Sequence, residues 1–277
     1  MTGTLVLVAT PIGNLSDMST RAIETLRSSD LVACEDTRRT GLLLQHFGIT
    51  GKRMLRVDAH TEDKSSQEII NCLLEGSTVA MVTDAGMPSI SDPGERLVRK
   101  VIESGHRVTV IPGPSAPISA LVVSGFSTQR WCMEGFLPRK GESRLKRIKE
   151  IAEEERTVIL FESPHRLAAT LKDLLEECGA TRQVAVVREL TKVHEEIFRG
   201  SLEESLTWAE KSIKGEIVIV LEAGTITSEI DDERLETVLK EILAGGVSTK
   251  DAAEEASRRL NVSRRRAYST ALDLRAE

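Results

Sequence analysis

Thr83-Asp-Ala-Gly-Met-Pro-Ser-Ile-Ser-Asp-Pro-Gly94 follows the apolar run Val79-Ala-Met-Val82 and leads into a helix-patterned segment at residues 95–104. A short apolar run that breaks into Gly, Pro, Ser and Asp ahead of a helix reads as a buried strand, a loop and a covering helix. In a parallel α/β sheet, ligands bind outside the carboxyl ends of the strands, where such loops lie. This loop offers main-chain N–H and C=O groups, and Gly86 lets a ligand approach the backbone closely.

The same alternation extends outward. Apolar runs occur at residues 4–9, 31–34, 54–57, 78–82 and 107–111. Between them, residues 19–28 put Ala22, Ile23 and Leu26 on one face behind Ser19, a good N-cap type. Residues 65–75 carry the stripe Ile69, Ile70, Leu73 and Leu74 and stop at Gly76, and residues 95–104 carry Leu97, Val98, Val101 and Ile102 and stop at Gly105. The pattern predicts a mostly parallel sheet covered on both faces.

Residues 112–141, rich in Pro, Gly and Ser, read as a connection to a second α/β unit. That unit has strands expected at 157–161, 183–188, 194–199 and 216–222 and a helix at 165–178. After Gly224 the chain turns charged and helical, with helices expected at 231–244, 249–260 and 263–274, Ser248 as an N-cap and 261–263 as a tight turn. The expected architecture is therefore α/β: two α/β domains, 1–117 and 118–226, with a ligand cleft between them, and a small helical domain at 227–277.

Composition narrows the ligand classes. The chain has 277 residues, 40% hydrophobic and 29% charged, as expected of a soluble protein with a real core. Only 3% are aromatic, which argues against stacking platforms for single-stranded nucleic acid. Net charge is −6, yet Arg139, Lys140, Arg144, Lys146, Arg147 and Lys149 cluster in one stretch and Arg258, Arg259, Arg264, Arg265 and Arg266 in another, which permits local phosphate contact. The cysteines at 34, 72, 132 and 178 have no metal-type spacing, and no apolar stretch is long enough to cross a bilayer. A cytoplasmic protein, not a membrane one, is expected.

Three loops converge on one sheet edge: Ala9-Thr-Pro-Ile-Gly-Asn14, the 83–94 loop, and Pro112-Gly-Pro-Ser-Ala-Pro117. They carry Asn14, Asp84, Ser89, Asp92 and Ser115. A GxxxxGK[ST] loop is missing, as is a GxGxxG fingerprint after the first strand, which disfavours nucleoside triphosphates and ordinary dinucleotide folds. It also disfavours the commonest methyltransferase architecture. Prolines remove N–H donors, so the cleft is expected to hold a neutral or cationic ligand through carbonyl and side-chain oxygens.

The ordered motifs VATPIGNLSD (8–17), ACEDTRRTGLLLQHFGI (33–49), TDAGMPSISDPG (83–94), PGPSAP (112–117), EGFLPRKG (134–141), FESPHRL (161–167), REL (188–190) and KGEIVIVLE (214–222) resemble a family. The resemblance is to the ribosomal-RNA-modifying group of the tetrapyrrole-methylase-like (class III) methyltransferases, and it spans about Gly3 to Glu222. It implies a homodimer that binds S-adenosylmethionine in the interdomain cleft. The implied reaction methylates a cytidine 2′-hydroxyl in the decoding region of 16S rRNA in the small ribosomal subunit. The positions matching the family's cofactor loops are Pro11, Asp84, Ala85, Gly86, Ser89, Ile90, Ser115 and Ala116, with Phe161 and Glu162, and Gly215, Glu216 and Ile217 from the second domain. Residues 248–268 resemble the helix-turn-helix tail of this group, whose basic residues suit phosphate contact.

Candidates for the base or for RNA positioning are Asp36 with Arg38, His60, and Arg166 beside His165; no metal site is expected. Asp36 and Arg38 read equally well as a structural ion pair. His165 and Arg166 open a helix, where positive charge opposes the helix dipole unless an anion is near. Glu162 could hold a ligand amino group. Two alternatives stay open: a porphyrinoid C-methyltransferase, which needs no basic tail, and a ligand-sensing nucleic-acid-binding regulator.

Overall fold

The structure is a computed structural model that describes residues 3–58, 61–210, 213–224, 232–260 and 264–276. It divides into two compact units, one of Met1–Ala152 with Arg156–Glu222 and one of Glu153–Glu155 with Ala223–Glu277.

The larger unit contains two sheets. The first has strands β1 (Thr4–Val8), β2 (Leu31–Cys34), β3 (Met54–Arg56), β4 (Thr78–Val82) and β5 (Arg107–Ile111) in the order β3-β2-β4-β1-β5. Every pairing is parallel, with Leu5 opposite Val79 and Val108. Four helices cross over between the strands: α1 (Thr20–Ser28), α2 (Thr37–His46), α3 (Glu62–Leu74) and α4 (Glu95–Glu103). Alternation along each strand sends Val6, Val8, Val32, Cys34, Ala80 and Val82 to a face packed by Ala22, Leu26 and Leu44. Leu5, Leu31, Ala33, Val79 and Met81 face the other way, against Ile69, Leu73, Leu97 and Val101. Adjacent strands β1 and β4 are continued in opposite directions, β1 toward β2 and β4 toward β5. This is a topological switch point, where α/β sheets open a crevice.

The chain enters the second sheet through α5 (Ala116–Ser124) and β6 (Trp131–Phe136), both inside the segment expected to be a connection. Two physical reasons hid them. The sequence of α5, Ala-Pro-Ile-Ser-Ala-Leu-Val-Val-Ser, is apolar nearly all round and gives no 3.6-residue period, while β6 is interrupted by a register shift between Met133 and Gly135. The remaining strands are β7 (Thr157–Glu162), β8 (Gln183–Arg188), β9 (Glu196–Ser201) and β10 (Ile217–Leu221), in the order β6-β7-β10-β8-β9. Only β6 and β7 run parallel. Helices α6 (Glu142–Ala152), α7 (Leu167–Cys178) and α8 (Leu202–Ala209) contribute to the core on one face of this sheet, and α5 covers the other through Ala120 and Leu121.

The smaller unit holds α9 (Asp232–Ala244), α10 (Thr249–Leu260) and α11 (Arg264–Ala276) around Leu235, Leu239, Ala252, Ala253, Ala256, Ala267 and Ala271. Ser248 Oγ accepts from Asp251 N at 3.1 Å, so it caps α10 as its sequence suggests. The expected turn at 261–263 lies outside the described residues.

One long-range cap positions the 83–94 loop. Gly94 begins α4 with no side chain of its own, and the Glu62 carboxylate, 4% exposed, accepts from Gly94 N at 3.2 Å and Leu97 N at 3.0 Å. Replacing it by alanine leaves two helix N–H groups without that acceptor, a loss of about 1–3 kcal/mol. Glu62→Ala is expected to lower Tm by on the order of 5 °C in a thermal melt, and Glu62→Gln, which keeps an acceptor oxygen, by less.

Candidate functional site

The loops after β1 and β4 meet at the switch point. Thr10 N donates to Gly86 O at 2.9 Å, Gly86 N returns a bond to Thr10 O at 3.1 Å, and Thr10 Oγ1 donates to Thr83 O at 3.1 Å. Gly86 has φ +82°, and a Cβ there would touch Ile12 at 3.4 Å. The third loop closes against the first, since a Cβ on Gly113 would lie 2.9 Å from that of Ala9. Two non-glycine residues of the 83–94 loop, Ser89 (φ +72°) and Ser91 (φ +63°), are left-handed, as are Glu189 (φ +50°) and Thr191 (φ +65°) after β8. Such backbone gathers where the surrounding structure over-determines a site.

These loops wall a cavity of about 380 Å³, in the size range of small-molecule sites. Ala85, Gly86 and Ile90 line it from the β4 loop, Ser115 and Ala116 from the start of α5, Phe161 and Glu162 from the end of β7, and Gly215, Glu216 and Ile217 from the start of β10. Ile12, Met87, Phe136 and Leu190, inside the quoted motifs but not among the positions matched to the cofactor loops, add apolar wall. Asp92 and Ser91 complete the polar lining near the β4 loop. Among the described lining residues there are three acidic side chains, Asp92, Glu162 and Glu216, and no lysine or arginine. That wall suits a cation and repels polyphosphate.

A second cavity of about 360 Å³ shares Ile12, Ala85 and Glu216 with the first. Pro11, Asp84, Arg39, His46 and Lys192 line it. Arg39 Nη1 lies 3.1 Å from Asp84 Oδ2 and stays largely exposed, and Lys192 Nζ bonds Glu189 Oε1 at 2.8 Å and Glu216 Oε2 at 3.1 Å. Beside Lys192, the Glu189 carboxyl is held below its usual range. Ser89 lines neither cavity; it turns under its loop, where a Cβ on Gly94 would meet its hydroxyl at 2.7 Å.

The remaining sequence candidates fall into distinct surroundings. Asp36 is the N-cap of α2: Oδ1 accepts from Arg38 N at 2.8 Å and Arg39 N at 3.4 Å, and Oδ2 pairs with Arg38 Nη2 at 3.2 Å. The Arg38 guanidinium, then its backbone N–H, pulls this carboxyl down to about 2, which makes it a weak base. Arg166 turns inward, with Nη2 donating to Leu137 O at 3.0 Å and Nε 3.4 Å from Glu162 Oε1. Glu162 is itself committed, accepting from Ser163 N at 2.7 Å and Thr170 Oγ1 at 2.6 Å. Behind it, buried Arg144 donates to Thr170 Oγ1 at 3.0 Å and pairs with Asp173 at 2.7 Å, so that basic residue of the 139–149 cluster is a structural one. His60 lies outside the described residues. Among the described residues, no group of three His, Cys, Asp or Glu is placed to hold a metal ion, and no helix is long and apolar enough to cross a membrane.

Comparison with known proteins places this geometry among relatives. The model of the tetrapyrrole (corrin/porphyrin) methylases matches residues 4–205. A protein of Synechocystis called ribosomal RNA small subunit methyltransferase I is 43% identical, covering 99% of both chains. A relative of that name from Escherichia coli O157:H7 is 42% identical over 98% of this chain and 95% of its own. Another from Thermotoga maritima is 47% identical over 79% of this chain and 98% of its own, so about a fifth of this chain has no counterpart there. The fold is also that of a solved cobalt precorrin-4 methyltransferase (TM-score 0.59, 16% identity, 79% of this chain and 94% of that one). A Thermus thermophilus uroporphyrin-III-C-methyltransferase scores 0.54 at 18% identity, with the same coverage.

Gly215 tests how tightly the cavity wall is set. It has φ +99°, and an added Cβ would overlap the Glu189 side chain, whose Oε1 also accepts from Glu216 N at 2.9 Å. Gly48, at φ +64°, has open space around that position. Gly48→Ala should cost about 1–2 kcal/mol from backbone conformation alone. Gly215→Ala should exceed that in chemical denaturation; equal losses would show the Glu189 contact to be loose.

Proposed function

The chain belongs to the tetrapyrrole methylase family and, within it, to the ribosomal RNA small subunit methyltransferase I group, and on that premise we propose its donor, acceptor atom and nucleotide. It is an enzyme that methylates ribosomal RNA. The donor is S-adenosylmethionine, the acceptor a ribose 2′-hydroxyl, and the nucleotide a cytidine in the decoding region of 16S rRNA. The observation that carries the reading is the pairing of two cavities. One has acidic residues and no basic ones among its described lining, and the other shares a wall with it and presents Arg39 and Lys192.

The first cavity fits the donor. Its acidic, largely apolar lining favours a sulfonium cation on an apolar body, and its volume of about 380 Å³ is adequate for one. Ala85, Gly86, Ile90, Ser115, Ala116, Phe161, Gly215 and Ile217 would hold it. Glu162 shapes the wall through its bonds to Thr170 and Ser163. Bound there, the donor supplies an electrophilic methyl group on a positively charged sulfur.

The RNA backbone is assigned to the second cavity, with the acceptor ribose reaching from it into the first, beside the methyl group. Arg39 and Lys192 are each bonded to a carboxylate and also face the second cavity, where they can meet a phosphate of the RNA backbone. Alignment across the shared wall of Ile12, Ala85 and Glu216 is the enzyme's first contribution, because orientation alone can supply about 7–11 kcal/mol in favourable cases. Removing the hydroxyl proton is the second. The same reading makes the protein a cytoplasmic homodimer. Val110 on edge strand β5 and Ile118 and Val122 on α5 are exposed apolar side chains of the kind a second copy would cover.

Purified protein given labelled S-adenosylmethionine and small ribosomal subunits lacking the modification is expected to label one cytidine ribose, mapped by nuclease digestion and mass spectrometry. Label on a tetrapyrrole instead, with the subunit unlabelled, would replace the reading by C-methylation. Subunit affinity should also fall by at least about ten-fold between 50 and 200 mM salt, since backbone phosphates dominate such contacts; a flat response would remove the electrostatic account.

A further inference from the structure

Three acidic side chains line the first cavity, and the structure uses two of them. Glu162 accepts from Thr170 and Ser163 and faces Arg166, and Glu216 is paired with Lys192. Asp92 makes no ion pair among the described residues. It sits between the left-handed Ser91 and Pro93-Gly94, so the loop and the Glu62 cap at Gly94 both fix its position.

The groups facing it are mostly of its own sign. Glu35 after β2 and Asp84 after β4 both act on it, and Arg39 is bonded to Asp84. Beyond Gly94, Glu62 is bound by backbone N–H groups and lies 3.9 Å from Arg96, which also faces Asp63. The buried Thr83 hydroxyl makes no aligned hydrogen bond but lies close enough to favour the Asp92 carboxylate slightly. Burial first, then the Glu35 charge, push the Asp92 carboxyl up to about 6. The Glu35 carboxyl is raised too, by burial and then by Asp84. A carboxylate that is ionised at neutral pH yet holds a proton more tightly than ordinary Asp is well matched to general-base work.

We propose that Asp92 is the proton acceptor for the ribose hydroxyl, an assignment that rests on the RNA 2′-O-methylation reading above. As the new oxygen–carbon bond forms, the hydroxyl proton passes to a carboxylate oxygen of Asp92. The carbon–sulfur bonding pair stays on sulfur, which becomes neutral, and Asp92 then returns the proton to water.

The assignment carries a stability signature independent of turnover. Asp92 binds its proton more tightly when folded than at the unfolded value of 3.8. The native state therefore holds the extra proton between that value and about 6, and stability declines as pH rises through this window. Asp92→Asn removes the half-buried charge, so it should raise Tm at pH 7.5 and leave the pH 4 difference near zero. In methyl transfer to small subunits at saturating cofactor, Asp92→Asn is expected to lower kcat at least about 100-fold, while the cofactor Kd by calorimetry, which feels the loss of one carboxylate from the lining, rises by less than about ten-fold. Asp92→Glu should recover part of the rate. In the wild type, the single-turnover rate should fall as pH drops through about 6. A rate flat from pH 5 to 8, an Asp92→Asn kcat within three-fold, or a Kd loss that accounts for the lost rate would overturn the assignment while leaving the methylase reading intact. A wild-type protein that binds the cofactor and leaves the subunit unlabelled overturns that reading and this assignment with it.

Discussion

The two reciprocal hydrogen bonds between Thr10 and Gly86 are the constraint on which the rest of the site depends. They are a single antiparallel bridge between loops that leave a parallel sheet in opposite directions. Without them the switch point would be a gap between two mobile turns. With them, the β1 loop becomes a wall between two cavities, carrying Pro11 on one side and Ile12 on both. Gly86 is the residue type this requires, because its φ is left-handed and its Cα faces Ile12 and the Pro114 carbonyl.

Electrostatics divide the labour across that wall. Buried carboxylates elsewhere in the unit are answered by donors: Glu62 by two helix N–H groups, Glu162 by Thr170 and Ser163. Such groups are structural, since leaving a buried charge unanswered is expensive. Asp92, with like-charged Glu35 and Asp84 as neighbours, is the exception within the first cavity, and its unfavourable position is what gives it proton affinity. The two cations of the second cavity, Arg39 and Lys192, are held there by Asp84, Glu189 and Glu216.

Much of this was legible in the chain and some was not, for physical reasons. The strands of the first sheet are continuous apolar runs, and its helices α1, α3 and α4 carry a strong amphipathic period, so the alternation and the parallel pairing follow from pattern, while the strand order does not. Helix α5 lacks a polar face and α2 carries Gly41 between its cap and Leu42, so periodicity alone does not find them. The loops containing Ala85, Gly86, Ile90, Ser115 and Ala116 announce themselves by composition, whereas Gly215, Glu216 and Ile217 needed the motif resemblance, because β10 reads as an ordinary core strand. Which acid is free to act is written locally only in part. Asp36 and Asp92 are both loop aspartates before helices; the partner of Asp36 is local, Arg38, whereas the neighbours that separate Asp92 from a capping group, Glu35 and Asp84, are brought to it only by the fold.

The three-helix unit of α9, α10 and α11 has a fully buried core of two leucines and five alanines, with Val238, Ile242, Leu243, Leu260 and Leu274 half-buried against it. Alanine lets helices approach closely but removes little apolar surface from water per residue, so this unit has a thin reserve against its own conformational entropy. On heating it is therefore expected to be the first cooperative segment to open, ahead of the two-sheet unit, whose core strands are buried on both faces. Amide hydrogens of α10 and α11 are then expected to exchange on a faster clock than those of β1 or β10. Any partner that grips these helices draws part of its affinity from holding them closed, and the temperature dependence of its binding follows the melting of the helices as well as the contacts it makes.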